Sequence, residues 1–273
     1  MTENTLKPYV IGLDLGGTNS VFGIVDARGE IKATTAIKTG GYDKVDDYVK
    51  ASVEALQPII ETVGGIEKIK AMGIGAPNGN FYTGAIEFAP NLAWAHDGVV
   101  PLADMFSKAL GIPVALTNDA NAAALGEMTY GAARGMKNFI DITLGTGVAR
   151  TAREFLKTSD EPSLLREMDP EKITSYDVSV AASKGDALAK RIYDFTGKML
   201  GEACANFAAF SAPEAFVFFG GLTKAGDLLM KPLKEAYDKN VLKIYKGKAK
   251  FLISTLDGSS AAVLGASAVA WDL

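Results

Sequence analysis

Residues Tyr9–Asp26 read YVIGLDL-GGTN-SVFGIVD, two β-rich runs joined by Gly16-Gly17-Thr18-Asn19. Gly-Gly and Thr-Asn are turn chemistry, so the stretch predicts a strand, a tight turn and a returning strand. A third run, Glu30–Ile37 (EIKATTAI), follows Ala27-Arg28-Gly29 and extends the pattern. A glycine turn between two strands differs from the common glycine-rich motifs. A Walker A loop requires GxxxxGK[ST] running into a helix, and the chain contains none. A dinucleotide fingerprint over the later glycine turn would need glycine at Arg150, three beyond Gly147. A strand–Gly-Gly-Thr–strand turn can nevertheless present backbone N–H groups to phosphate, because the missing side chains let an anion approach. Asp14, at the end of the first strand, is placed to hold Mg²⁺ through water. The plain alternative is an ordinary hairpin.

Working outward, apolar residues at Val45, Val49, Val53, Leu56 and Ile60 predict a helix over Asp43–Val63. Lys70–Gly75 reads as a strand, and Pro77–Pro101 as a long irregular loop of the kind that carries function. Leu102–Leu110 reads as helix, Pro113–Thr117 as strand and Asp119–Tyr130 as helix. The second half repeats the theme: strand at Phe139–Leu144, then helix beginning near Ala149. A long helix over Asp186–Phe210 is interrupted by Gly197 and Gly201. The continuous apolar run Ala215–Gly221 (AFVFFGG) has the pattern of a strand covered on both faces. After another helix come a strand at Lys250–Ser254 and an Ala-rich helix from Ser259. Strands alternating with helices predict an α/β fold with a largely parallel core.

Asp14-Leu-Gly-Gly-Thr has an echo in Asp141-Ile-Thr-Leu-Gly-Thr-Gly, each an acidic strand residue ahead of a Gly/Thr turn. Two related lobes facing each other across a nucleotide cleft would bring the turns together. The expected division is 1–117 and 118–273, with room for the final helix, 259–273, to lie on the first lobe. Gly220-Gly221, after a buried strand, would let backbone lie flat against an adenosine. Its bland counterpart is a tight strand-to-helix connection. Asn118-Asp119-Ala-Asn121 opens a helix directly after a strand. One polar residue there is explained as an N-cap worth roughly 1 kcal/mol. Three are not, and a carboxylate that orients and deprotonates an attacking hydroxyl is what phosphoryl transfer needs. That role falls to Asp119, with Asn118 fixing the acceptor. Asn91, in the long loop, offers donors and an acceptor to vicinal hydroxyls. Trp94 and Cys204 read as packing residues, and His96 as an exposed loop residue.

Composition limits the partners. Of 273 residues, 22% are charged with a formal net charge of -4, and no Lys/Arg-rich run appears, so neither nucleic acid nor an anionic membrane is expected. The start of the sequence carries no secretory pattern, which predicts a cytoplasmic protein. With one cysteine and one histidine the chain cannot build a Cys/His zinc site, and any metal must be a hard ion on oxygens.

Taken together, IGLDLGGTN, GIGAPNG, PNLAW, LTNDANAAALGE, ITLGTGV, FFGGLTKAGD and AAVLGASA resemble the ROK family of bacterial glucokinases, other sugar kinases and sugar-responsive repressors. The resemblance implies two ribonuclease-H-like (actin/hexokinase-like) lobes. It implies nucleotide contacts at Asp14, Gly16, Gly17, Thr18, Asn19, Gly145, Thr146, Gly147, Gly220 and Gly221. Asn91 and Asn118 would bind the sugar and Asp119 would be the catalytic base, with ATP and Mg²⁺ as cofactors. The expected activity is transfer of the ATP γ-phosphoryl group to a hexose, glucose foremost; a homodimer is allowed. Repressor members carry an N-terminal helix-turn-helix, whereas this sequence starts almost directly on the first strand.

One block departs from the family pattern. Family members continue from ITLGTGV into further glycines, a hairpin, sugar-binding acidic and histidine residues, and a Cys/His zinc site. Here Val148 runs straight into Ala149-Arg150-Thr151-Ala152-Arg153, which resembles the helix after that block. The second lobe therefore reads as truncated by an internal deletion. Two lost hydrogen bonds to charged groups would cost roughly 3–6 kcal/mol, about a hundred- to ten-thousandfold in sugar affinity. Two other readings stand beside the kinase: a catalytically impaired descendant acting as a nucleotide-binding or regulatory module, and an actin-like filament former or chaperone ATPase. The last leaves Asn118-Asp119 and the Asn91 loop unexplained.

Overall fold

The computed structural model describes residues 7–145, 147–256 and 258–273. The opening pattern becomes β1 (Tyr9–Leu15) and β2 (Asn19–Asp26), antiparallel neighbours, with β3 (Ile31–Lys38) beyond them. β3 alternates half-buried and exposed side chains along its length, as a strand with one solvated face does. On its other side β1 pairs in parallel with β4 (Ile69–Ala76), and β4 with β8 (Val114–Asn118). The resulting five-stranded order is β3-β2-β1-β4-β8.

Helix α1 (Val45–Glu61) buries Tyr48, Val49, Ser52, Leu56 and Ile60, so its inward face includes two hydroxyl residues that apolar periodicity passes over. The stretch 77–101 is not wholly irregular. It folds into a small antiparallel sheet of β5 (Gly79–Asn80), β6 (Ala85–Glu87) and β7 (Val99–Val100). Its strands are two or three residues long, too short for period-2 patterning to register. Helix α2 (Leu102–Leu110) and helix α3 (Asp119–Thr129) flank β8 in sequence.

The second sheet is smaller and wholly parallel: β9 (Phe139–Thr143), β10 (Ala215–Phe219) and β11 (Lys250–Ile253), in the order β11-β10-β9. β10 is central and almost fully buried, as its unbroken apolar run requires. Between β9 and β10 lie α4 (Gly147–Thr158), α5 (Ser175–Ser183) and α6 (Ala187–Ser211). Helix α5, opened by a Thr174–Asp177 capping box, escapes the sequence pattern because its apolar residues do not keep to one side. Gly197 and Gly201 do not interrupt α6, which is continuous through both. A Cβ on either would stand 2.8 and 2.2 Å from the carbonyl oxygens of Leu229 and Leu233 on α7 (Asp227–Asn240). Glycine there lets two helix backbones approach, and helical packing outweighs its low propensity.

The last helix, α8 (Gly258–Ala270), is buried along most of its length and packs on β1, β4 and α3. The chain accordingly forms two compact units, one running to Gly135 and regaining Thr255–Leu273, the other Met136–Ser254. The expected division at 117/118 lies inside the first unit, because α3 packs on α8. Among the described residues no helix is long and apolar enough to cross a membrane.

Candidate functional site

In the first unit the candidate residues converge at the C-terminal ends of parallel strands. The register aligns Asp14 with Gly75, Gly75 with Thr117, and Ala76 with Asn118. Asp14 and Thr117 are therefore two strand spacings apart, about 10 Å, and Asn118-Asp119 lies one step beyond. Strand ends of a parallel sheet are where open α/β folds bind ligands.

Asn118 is the N-cap of α3: its Oδ1 accepts from the Asn121 backbone N–H at 2.7 Å. Asp119, the first helical residue, is exposed, and its Oδ1 accepts from the neighbouring Ala120 N–H at 2.8 Å. The cap is thus filled by Asn118, and the Asp119 carboxylate is left facing solvent. Asp14 is half-buried. Burial foremost, and then the charge of Asp119, hold its carboxyl above the ordinary aspartate range.

The turn after β1 closes through Gly16 N–H donating to Asn19 O at 3.0 Å, and Thr39 N–H donates to Thr18 O at 2.9 Å. Asn91 sits against this turn. A Cβ on Gly17 would lie 3.0 Å from Asn91 O and 3.2 Å from its Nδ2. The Asn91 loop is tied to itself by Ala89 N–H to Ala95 O (3.0 Å), Leu92 N–H to Ala89 O (3.1 Å) and Ala95 N–H to Leu92 O (2.9 Å). It begins at Phe88, whose φ of +52° is unusual for a bulky residue. The Asn78 side-chain amide holds that point by donating to Glu87 O and Phe88 O at 3.1 and 2.9 Å. Trp94 is a packing residue, stacked on Tyr48 with ring centroids 5.2 Å apart. His96 is exposed and bonds Asp97, and Cys204 is buried, its thiol pushed up to about 12 by desolvation.

The second unit carries the other glycines. Gly145 is exposed, Gly147 opens α4, and a Cβ on either would meet nothing within 4 Å. The helix begins two residues before the expected Ala149, so this turn presents a helix N-terminus, whose orphan N–H groups favour anions. Thr146, between the two glycines, lies outside the described residues. Leu144 N–H donates to Phe219 O at 2.7 Å and ties this turn to the end of β10. There Gly220 adopts φ +111°, and its Cβ would stand 2.4 Å from Leu144 O, so local backbone geometry alone demands glycine. Gly221 is exposed with nothing near its Cβ position. The pair thus divides into a structural glycine and one with no packing reason to be glycine.

Sequence reasoning passed over a buried hydroxyl cluster next to the first turn. Ser20 Oγ lies 2.6 Å from Thr39 Oγ1 and 2.8 Å from Tyr48 Oη. The only signal was Tyr48 and Ser52 at i, i+4 on a face otherwise read as apolar. Glu127 is a further buried polar residue. That side chain is fully buried at the end of α3, where Oε2 accepts from Ala132 N–H at 2.8 Å.

Against known proteins, the profile of the ROK family matches residues 10–151 and 155–272. The chain belongs to the ROK family. It is 31% identical to a glucokinase of Halalkalibacterium halodurans, over 94% of this chain and 93% of the relative. Over 25 residues, 9% of this chain, it is 84% identical to the whole of a sequence described as a glucomannokinase of Segatella bryantii. Among solved structures it resembles a ROK family glucokinase from Streptomyces griseus in complex with glucose and AMPPNP. That likeness has 26% identity and a TM-score of 0.72, covering 95% of this chain and 98% of the other. These likenesses bear out the α/β, actin/hexokinase-like fold expected from the sequence.

Proposed function

We propose that this ROK protein is an ATP-dependent hexose kinase, with glucose as principal acceptor and mannose as a second. The observation that carries the reading is the division of labour at the start of α3. Asn118 performs the capping, so the exposed Asp119 carboxylate, whose Oδ1 accepts from the adjoining Ala120 N–H, is not needed as the cap. In this reading Asp119 accepts the proton of the attacking sugar hydroxyl, and Asn118 and Asn91 orient the neighbouring hydroxyls. The Gly16–Asn19 turn, whose Gly16 N–H is taken by Asn19 O, and, in the second unit, Gly145 and Gly147 are read as nucleotide-phosphate contacts through free backbone N–H groups, and Gly220 and Gly221 as adenosine contacts. Asp14 fits a role at a cation: it carries negative charge in a half-buried place beside a second carboxylate, where its ionised form is disfavoured. Mg²⁺ held there would supply charge neutralisation to the phosphates. The relatives' names, glucokinase and glucomannokinase, and the glucose and AMPPNP of the Streptomyces griseus structure support substrate and nucleotide class.

A second reading, an impaired descendant that binds nucleotide only, is favoured by the direct passage from β9 into α4. The alignment to the Halalkalibacterium glucokinase spans 314 positions, more than the 273 residues here, so that relative carries residues this chain lacks. We propose that an internal block is missing here, between Val148 and Ala149.

The test is ATP-dependent formation of glucose 6-phosphate by wild type and by Asp119→Asn. A general base contributes about 10²–10⁴-fold. A loss of that size, with ATP affinity unchanged, supports the kinase. ATP binding with no hexose-dependent turnover in wild type supports the second reading.

A further inference from the structure

Ser20, Thr39 and Tyr48 are buried to within about one percent of complete exclusion from solvent, yet each brings a hydroxyl. The three hydroxyls satisfy one another, Ser20 Oγ standing between Thr39 Oγ1 at 2.6 Å and Tyr48 Oη at 2.8 Å. Burial pushes the Tyr48 phenol up to about 12, so it remains a neutral partner. Around this cluster the core is apolar: Leu15, Phe22, Leu92 and Phe106 belong to the same buried group. An apolar core would gain little from three hydroxyls, since a buried hydrogen bond is worth little net, whereas a satisfied polar network admits a single arrangement.

What that arrangement joins is specific. Ser20 follows Asn19, the last residue of the Gly16–Asn19 turn, and Thr39 holds the same turn by its N–H to Thr18 O at 2.9 Å. Tyr48 reaches the other way. Its ring stacks on Trp94, centroids 5.2 Å apart and planes at 22°, three residues from Asn91 in the same self-bonded loop. Tyr42 and Phe106 meet the Tyr48 ring edge-on at 5.8 and 6.3 Å, so the ring has little freedom. An unbroken line of contacts therefore runs from Thr18 through Thr39, Ser20 and Tyr48 to Trp94. It ties together two segments that otherwise meet at Gly17 and Asn91.

We propose that Tyr48 is a positioning residue that holds the Gly16–Asn19 turn and the Asn91 loop in one mutual geometry. The proposal rests on the reading of those segments as phosphate and sugar contacts, and adds that they are set by a common brace. Tyr48 touches neither substrate and acts through the two loops.

The test uses the full chain with Tyr48→Phe, which keeps the ring and removes the hydroxyl. Amide hydrogen exchange is followed at Thr39 on one side and at Ala89, Leu92 and Ala95 on the other, with Ile74 and Leu116 as strand controls. The expected result is faster exchange on both sides together and none at the controls. Ser20→Ala cuts the line at its centre and is read in the same way, should Tyr48→Phe fold poorly. In steady state, kcat/KM of Tyr48→Phe should fall on the order of tenfold, with KM raised for both glucose and ATP. Unchanged exchange, or acceleration on one side only, overturns the brace. Absence of hexose-dependent turnover in wild type would instead overturn the kinase reading, and exchange would still decide on Tyr48.

Discussion

The two glycine turns begin alike in sequence, an acidic strand residue followed by Gly and Thr, and are built differently. After β1 the chain folds back at once into β2, and the turn is closed by Gly16 N–H to Asn19 O, held by Thr39 and bordered by Asn91. After β9 no strand returns. Leu144 is tied to Phe219, and α4 opens at Gly147. β9 is consequently an edge of its three-stranded sheet, whereas β1 is central in a sheet of five. The same short motif thus makes a braced hairpin turn in one unit and a helix N-terminus in the other. A returning strand supplies backbone partners on both sides of a turn; a helix supplies a row of free N–H groups on one.

The contrast can be broken first in the second unit. Gly220→Ala forces a Cβ into Leu144 O at a backbone angle foreign to L-residues, and should lose about 1–3 kcal/mol of stability. Gly221→Ala has open space and should stay within about 0.5 kcal/mol of wild type. Chemical denaturation of the pair measures the difference. Equal losses would show that the tie between β9 and β10 is not what holds this turn. A Gly221→Ala protein of wild-type stability but weaker ATP binding would sharpen the case for a nucleotide contact.

In the first unit, Asn118→Ala removes the α3 cap and should cost about 1 kcal/mol, whereas Asn118→Asp should restore stability, because an aspartate can cap as well. If Asn118 also orients the sugar through its amide N–H groups, Asn118→Asp will recover the melting temperature without recovering the glucose KM. Recovery of both would reduce Asn118 to a cap.

The smallest expected effect is the most specific in sign. The Asp14 carboxyl is raised in the folded protein by burial and by Asp119. The folded state therefore binds this proton more tightly than the unfolded chain does. Its contribution is favourable below the ordinary aspartate pKa and is lost as pH rises through the raised value. Asp14→Asn should then melt at a higher temperature than wild type at pH 7, and the gap should close on acidification below about pH 4. Paired melting curves across that range check it. A variant less stable than wild type at pH 7 would show that Asp14 is held by favourable contacts and is not strained for function.

Most of the fold was legible along the chain because period-2 and period-3.6 patterns report directly which side of an element is buried. β10 announced itself by five consecutive apolar residues, and α1 by Val49, Leu56 and Ile60. The pattern failed where burial is not apolar or the element is too short. Tyr48 and Ser52 face the core with hydroxyls, β5 to β7 are two or three residues each, and the apolar residues of α5 are not confined to one side. Gly197 and Gly201 read as breaks because propensity describes an isolated helix; α7 close beside them reverses that.

The site divides in the same way. Sequence alone determined the residue types: carboxylates at strand ends, glycine turns, and an Asn-Asp pair opening a helix, in an order that marks the family. Only tertiary structure decided which member of each pair does what. Asn118 takes the cap and frees Asp119, Gly220 is required by Leu144 while Gly221 is not, and Tyr48 links two turns that lie far apart in the chain. Local chemistry is written in neighbouring residues, but hydrogen-bond partnership, close backbone approach and shared burial are properties of distances that only the folded chain sets.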